Sequence, residues 1–488
     1  MPVRGKIDRT CRSGPSVAML WTSALLAASL ATARAADTTL DPNAGVAAEP
    51  PFAPAVVAQA GAGAPGTRAA DKDEAKSADA AGSVKLNGFL AGTAAYTYAD
   101  PSHWSRAVGR FQLSAQGELA ENVKWKLGAR ADVDPVYYGS DFYNDRVKRD
   151  QRADFFHREN YLDISAGDWD FRLGAQQIVW GEVVGLFFAD VVSARDMREF
   201  LLPTFDIIRI PQWAARAEYF WGDSHVEAIW IPVPLFDDIG KAGSDFYPAP
   251  IRSLPSGNLE QLFPDPRKPS RTLGNGNYGI RGNTLIDGWD LAAFYYRSFS
   301  TTPTFYVAPS TVPGLPFVFD PRYDRIWQAG GTLSKDFSDF VLRGELVYAH
   351  GQGYTTTDLT ANEGVVSKNT LDYVVSVEWT LPHETRLNVQ GFQRIFFGGG
   401  AGDLAIKGDG FGASVLLSSK VTRAFEPQIL WIQNFKDAGG LIRPRLNWYP
   451  ARNYTVGFGV DIFTGPADGF FGRYNNRDRA YAEIRYDF

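Results

Sequence analysis

From residue 84 to the end of the chain, apolar and polar positions alternate with period two. In VKWKLGARAD, Val123, Trp125, Leu127, Ala129 and Ala131 share one face, and Lys124, Lys126, Arg130 and Asp132 share the other. In WDFRLGAQ, Trp169, Phe171, Leu173 and Ala175 oppose Asp170, Arg172 and Gln176; in FVLRGELVY, Phe340, Leu342, Leu346 and Tyr348 oppose Arg343 and Glu345. Each reads as a strand with one apolar and one polar face. The pattern predicts eighteen strands, near 84–98, 106–119, 121–134, 156–166, 169–180, 212–221, 224–232, 276–286, 289–299, 322–334, 338–349, 368–380, 384–396, 406–419, 421–435, 440–449, 452–463 and 477–488. Sixteen is the rival count, because the short runs at 212–232 and 406–449 are the easiest to misread. Gly167-Asp168 and Gly222-Asp223 fit tight hairpin turns, while 135–155, 181–211, 233–275, 300–321 and 350–367 are long connections.

A soluble sandwich also alternates, so other features must decide. Many runs reach ten residues, long enough to cross a bilayer at a tilt. Small residues and aromatics share the apolar face, as on a lipid-facing surface. Charges recur on the other face, where a dry core would penalise them and a wet lumen would not. The chain ends AYAEIRYDF, with Ala480, Ala482, Ile484, Tyr486 and Phe488 on one face. This closing strand resembles the assembly signal of bacterial outer-membrane barrels. The expected fold is all-β: a transmembrane antiparallel β-barrel of about 18 strands over 83–488, with a short helix-containing inserted loop.

The start of the chain agrees with export. A basic stretch (Arg4, Lys6, Arg9, Arg12) precedes VAMLWTSALLAASLA, and Ala33-Arg34-Ala35 fits a cleavage site, so 1–35 reads as a signal peptide. Residues 36–82, rich in Ala, Pro and Gly, read as a flexible periplasmic segment. Segment 1–35 carries five Lys/Arg and one Asp, so its removal takes the formal charge from −6 to −10. That balance argues against nucleic acid as a partner. Cys11 is the one cysteine and leaves with the signal, which excludes disulfides and thiolate chemistry from the mature chain.

Catalytic and metal patterns are weak. His103, His157, His225, His350 and His383 form neither HExxH nor a close ligand pair, so no metal or cofactor is expected. Asp190, Asp237, Asp238 and Asp358 would be the loop acids for weakly held calcium, but solvated acids are the plainer reading, and no twelve-residue calcium loop is present. There is no GxSxG; Ser224 and His225 are strand neighbours facing opposite sides, and His157 with Asp154 reads as a lumen or rim pair. The expectation is a protein without enzymatic activity. The polar face offers a sharper pattern. Lys124, Lys126, Arg130, Arg172, Arg343, Arg386, Arg394, Arg443, Arg445 and Arg485 would line a lumen and could guide an anion. The plainer reading pairs them with Asp132, Asp170, Glu345, Glu426, Glu483 and Asp487, and an acidic chain favours it.

Residues 172–200, RLGAQQIVWGEVVGLFFADVVSARDMREF, change texture twice. A wall strand leads through Trp180, Gly181 and Glu182 into an apolar link with Phe187 and Phe188. Then comes a predicted helix over 194–202, capped by Ser193, with Asp196 at its third position, an Arg195–Glu199 pair, and Pro203 as its stop. An amphipathic helix on the membrane surface is one placement. A folded-in plug suits Glu182, Asp190, Asp196, Arg198 and Arg209 better. Trp180, Glu182, Phe187, Phe188, Asp190, Asp196, Arg198, Glu199 and Arg209 are therefore the candidate gate.

The run from Tyr161 to Pro234 carries a family resemblance. Its RLGxQ strand (Arg172, Leu173, Gly174, Gln176), WGE turn (180–182), Asp-containing segment (Asp190, Asp196, Glu199) and R-x-P step (Arg209, Pro211) resemble the outer-membrane proteins grouped as domain of unknown function 1302. Ala175 replaces a basic residue and Ser193-Ala194 replaces Asn-Pro. The architecture is similar, more distantly, to alginate-export porins. The resemblance implies residence in the bacterial outer membrane, in contact with its lipid, after cleavage near Ala35. It also implies a channel or transporter, with a hydrophobic small molecule, a lipid or an anionic solute or polymer as cargo. A periplasmic or inner-membrane transport partner fits that role. The alternative is a structural barrel closed by its loops that scaffolds a partner complex.

Overall fold

A computed structural model describes residues 84–183, 189–250, 259–399 and 402–488. The expected signal segment, the 36–82 segment, and Phe187 and Phe188 lie outside the described residues.

Eighteen strands close one antiparallel ring: β1 (Lys85–Thr97), β2 (His103–Ala120), β3 (Val123–Val133), β4 (Asn160–Ala166), β5 (Trp169–Gln176), β6 (Gln212–Trp221), β7 (Ser224–Ile231), β8 (Asn277–Ile286), β9 (Trp289–Phe299), β10 (Arg325–Asp336), β11 (Phe340–Thr355), β12 (Val365–Leu381), β13 (Thr385–Phe397), β14 (Gly410–Ser418), β15 (Phe425–Asn434), β16 (Gly440–Ala451), β17 (Tyr454–Thr464) and β18 (Arg479–Asp487). The last strand returns to the first, with Leu90 opposite Tyr486 and Ala94 opposite Ala482. The carboxy-terminal Phe488 completes the seam. It exchanges backbone hydrogen bonds with Gly88, and its ring stacks near Phe111. A Cβ on Gly88 would come within 2.8 Å of that ring, so a glycine is required there.

The period-two pattern maps onto inside and outside. Leu127, Leu173, Ile280, Leu346, Leu417 and Ile429 are exposed on the outer face. Arg130, Glu227, Arg281, Glu345, Gln390 and Asn447, at inward positions, are buried. Two aromatic belts bound the apolar band. Trp169, Trp221, Phe425, Trp448 and Phe488 lie at the face where β1 begins, β18 ends and the tight turns sit. Trp104, Trp213, Trp230, Tyr278, Phe411 and Phe435 lie at the opposite face, where the long connections emerge. The barrel crosses the membrane with strands; no helix among the described residues is long and apolar enough to do so.

The expected strand at 156–166 is split. β4 pairs with the first part of β3 (Trp125 opposite Leu162), and a separate strand, Ala153–His157, pairs with the last part (Ala131 opposite Phe155) and lies outside the ring. Asp154 and His157 therefore do not pair: Asp154 bonds Arg198, and His157 packs its ring edge-on to Phe155. The 134–152 connection contains helices Val136–Gly139 and Asp145–Gln151, the latter capped by Asn144, and 300–324 contains a hairpin, Thr304–Pro309 with Phe317–Arg322.

The helix expected at 194–202 does not form. Ala194–Arg195 instead pairs with Arg209–Ile210, and the backbone N–H groups of Asp196 and Met197 donate to Ile208 and Asp238. Tertiary pairing takes the donors and acceptors that a helix would have used. Among the described residues of this connection, the one helical turn is Phe205–Ile208.

Candidate functional site

The connection 177–211 leaves the wall at Gln176 and folds into the lumen. Its first part lies against β6–β11. Ile178, Trp180, Ala189, Val191 and Val192 pack on the inward side chains Ala214, Ile229, Ile231, Phe294, Tyr296 and Val347. The Trp180 indole N–H donates to Glu227 at 2.6 Å, and its ring lies over Gly279, where a Cβ would sit 2.7 Å away. Glu345 holds the backbone: its carboxylate accepts from the N–H groups of Glu182 (2.5 Å), Val183 (2.7 Å) and Ala189 (2.9 Å). These amides have no strand partner, so a carboxyl acceptor on the wall takes their hydrogen bonds. Glu182 itself accepts from Thr332 and faces Arg281 at 3.5 Å.

The segment then crosses the barrel. Asp238 is bridged to it through backbone bonds to Arg195 and Met197, and Asp237 accepts from Thr301, Thr302 and the Arg195 N–H. On the far side Phe200, with a positive φ of 54°, inserts among Phe246, Phe463, Phe471 and Tyr474. Glu199 sits between Arg106 (3.1 Å) and Arg479 (3.1 Å). Arg479 and Arg443 share Asp461, and Arg443 also donates to the Leu202 carbonyl at 2.9 Å. On the return, Arg130 caps the Ile207 carbonyl, Arg158 donates to Asp206 and Arg209, and Arg209 pairs with Asp190 at 2.9 Å.

Burial alone would push the Glu199 carboxyl up, but Arg106 and Arg479 outweigh it and hold it at about 2. Asp196 is likewise pulled below its ordinary value against burial, chiefly by Arg198. Both carboxylates are therefore ionised and committed to wall or neighbouring cations.

Among the described residues, the two larger voids that flank the segment share no lining residue. One, of about 1490 Å³ counting its open part, lies toward the long-connection face and is lined by Arg195, Phe299, Gln328, Tyr354, Asp372, Arg394 and their neighbours. The other, of about 920 Å³ on the same measure, lies between residues 201–205 and the inner faces of β13–β16 and β18.

Of the candidate gate residues, the described ones (Trp180, Glu182, Asp190, Asp196, Arg198, Glu199 and Arg209) make their contacts along this connection, though not as a helix. Arg195 donates to the Asp190 carbonyl rather than pairing with Glu199, Asp196 pairs with Arg198 rather than capping, and Ser193 donates to the Ile178 carbonyl. The basic positions do not form an open track. Arg130 pairs with Asp132, Lys126 with Glu159, Arg172 with Asp163, Arg343 with Glu378, Arg394 with Asp372, Arg443 with Asp461, Arg445 with Glu483 and Arg485 with Asp487. Lys124 and Arg386 have no such partner among the described residues. Two expected acidic partners do other work: Glu345 cradles backbone amides, and Glu426 accepts from Ser418 and Tyr449. Arg106 and Arg479, which clamp Glu199, were not among the candidates. Arg479 continues the inward run Tyr481, Glu483, Arg485, and that alternation was the available signal.

A family profile described as protein of unknown function, DUF1302, matches residues 16–488. The chain belongs to that family. No curated protein matches it in sequence. Among solved structures the chain is similar to OmpF of Salmonella typhi in complex with daunomycin, at 10% identity over 83% of this chain and 97% of that one, with a TM-score of 0.43. It is similar to OccAB3 of Acinetobacter baumannii at 9% identity, over 83% and 99%, with a TM-score of 0.46. OpdK of Pseudomonas aeruginosa, solved with vanillate, gives 8% identity, 84% and 99%, and a TM-score of 0.47. For this DUF1302 member, the closed ring and its two aromatic belts are the features of an outer-membrane barrel.

Proposed function

We propose that this outer-membrane barrel is a channel for a small solute, with segment 177–211 as its constriction. The observation that carries this reading is the path of that segment. It enters from β5, is held by Glu345 on one wall, reaches Arg443 and Arg479 on the other, and leaves a void on each side. Selectivity then depends on the width left beside the segment and on the fixed charge lining it. Because most lumen arginines are paired, a continuous basic ladder for an anionic polymer is disfavoured relative to a small solute. No step in this reading is enzymatic.

Conductance in planar bilayers tests it. The intact chain should give small, resolvable channels, and a variant lacking residues 183–208 that still assembles should give larger ones. Absence of conductance in both would sink the channel. A second reading, a closed barrel that scaffolds a partner complex, draws on the same anchoring, since the segment is held at both walls. It predicts silence from the intact chain together with stable co-purification of a partner.

A further inference from the structure

We propose that the void beside residues 201–205 is a binding site for one amphiphilic anion, a carboxylate carrying a medium-length alkyl tail. The inference names a solute class for the channel proposed above and so rests on that reading, but its test measures binding rather than passage.

The inward faces of a wet barrel are ordinarily polar. Here they turn apolar in two places, on β6–β11 and again on β14–β16. Leu416 of β14 stands opposite Leu430 of β15, and Ile432 of β15 stands opposite Leu441 of β16. All four line the void, and residues 201–205 contribute further apolar side chains, Leu201 and Phe205 among them, from the other side. Ile432 and Leu441 also pack with Phe200 and Leu202, but among the described residues none fills the space beside Leu416 and Leu430, whereas on the β6–β11 side the same connection packs its tryptophan and valines into the wall.

The apolar rows end on two cations. Leu430 stands opposite Arg443, and Gln428 stands opposite Arg445. Arg443 and Arg445 are the charged residues of the lining; their partners Asp461 and Glu483 lie outside it. Arg443 donates through Nε to Asp461 and through Nη2 to Leu202, which leaves guanidinium N–H groups over, since the side chain carries five. A ligand matching this wall has a carboxylate for the guanidinium end and a hydrocarbon tail for the leucine end. A purely apolar molecule would leave the arginine end unmatched, and a short anion would leave the leucine end empty.

The experiment uses the full chain, purified in an amphipathic polymer, and radiolabelled dodecanoate, with dodecanol and butyrate as competitors. Expected is saturable binding of one dodecanoate per barrel, with both competitors at least tenfold weaker. Leu416→Trp, which fills the void, should lower dodecanoate affinity at least tenfold. Arg445→Gln should lower dodecanoate affinity and leave dodecanol unchanged. Heat-modifiable gel mobility checks that each variant is a folded barrel. Dodecanol competing as well as dodecanoate, or wild-type affinity in folded Leu416→Trp, would overturn the proposal. Conductance without such binding would refute the site and leave the channel standing; binding without conductance would refute the channel and leave the site.

Discussion

The two walls that receive the inserted segment differ in how they use apolar surface. Against β6–β11 the inward face is dry and full: Trp180, Val191 and Val192 pack on Ile229, Ile231, Phe294 and Val347. Against β14–β16 the inward face is equally apolar, but Leu416, Leu430 and Leu441 border a void. The hydrophobic effect is satisfied by the protein itself on one side and only in part on the other, where Ile432 and Leu441 pack with Phe200 and Leu202 while Leu416 and Leu430 still border the void. The filled wall acts as an anchor, and the unfilled wall is where a solute gains most by binding.

The largest effect should come from breaking the anchor. Trp180→Ala removes a buried indole and leaves a cavity, at a cost of about 3–5 kcal/mol. Native-state hydrogen exchange should then show faster opening of the amides of Glu182, Val183 and Ala189, and single-channel conductance should rise. Next comes Glu345→Ala, which leaves three buried amides without their acceptor, worth on the order of 3 kcal/mol. The same amides should lose protection while strand amides keep theirs. Leu416→Ala on the unfilled wall should cost only about 1 kcal/mol, because the side chain already borders empty space. Equal losses at Trp180 and Leu416 would erase the distinction between the walls.

The smallest effect concerns pH. Glu199 has its carboxyl held at about 2, below the ordinary value, by Arg106 and Arg479. A depressed carboxyl stabilises the docked segment at pH values above its ordinary value near 4.5, and that contribution fades as pH falls toward 2. Conductance should therefore rise on acidification below about pH 4.5, and Glu199→Gln should flatten that rise. A profile identical in Glu199→Gln and wild type would place the titration elsewhere.

Much of this fold was legible before the structure. Alternation in runs such as VKWKLGARAD places charge inside and apolar groups outside, and the eighteen runs close as eighteen strands. The inserted connection was also legible, because Glu182, Asp190, Asp196, Arg198 and Arg209 suit a lumen better than lipid. Its conformation was not. Residues 194–202 have a helix-like cap and charge spacing, but Arg195 pairs with Arg209 across the crossing, a partner fourteen positions away that local spacing does not reveal. The role of Glu345 was hidden for a related reason. In sequence it is one more acid on the polar face beside Arg343, and only the backbone of Glu182, Val183 and Ala189 makes it a cradle. The leucine wall was hidden because residues 415–417 of β14 and 429–432 of β15 are apolar on both faces, so period two loses its contrast there.

The most direct test labels the two sides of the inserted segment. The chain has no cysteine beyond Cys11, so single cysteines can be introduced at Val192, on the filled side, and Leu201, on the unfilled side. Rates of modification by a small water-soluble methanethiosulfonate, measured on the protein in liposomes, compare them. The account predicts that Leu201→Cys reacts at least tenfold faster than Val192→Cys and that Trp180→Ala speeds the slower one. Equal rates at the two positions, with no response to Trp180→Ala, would contradict it.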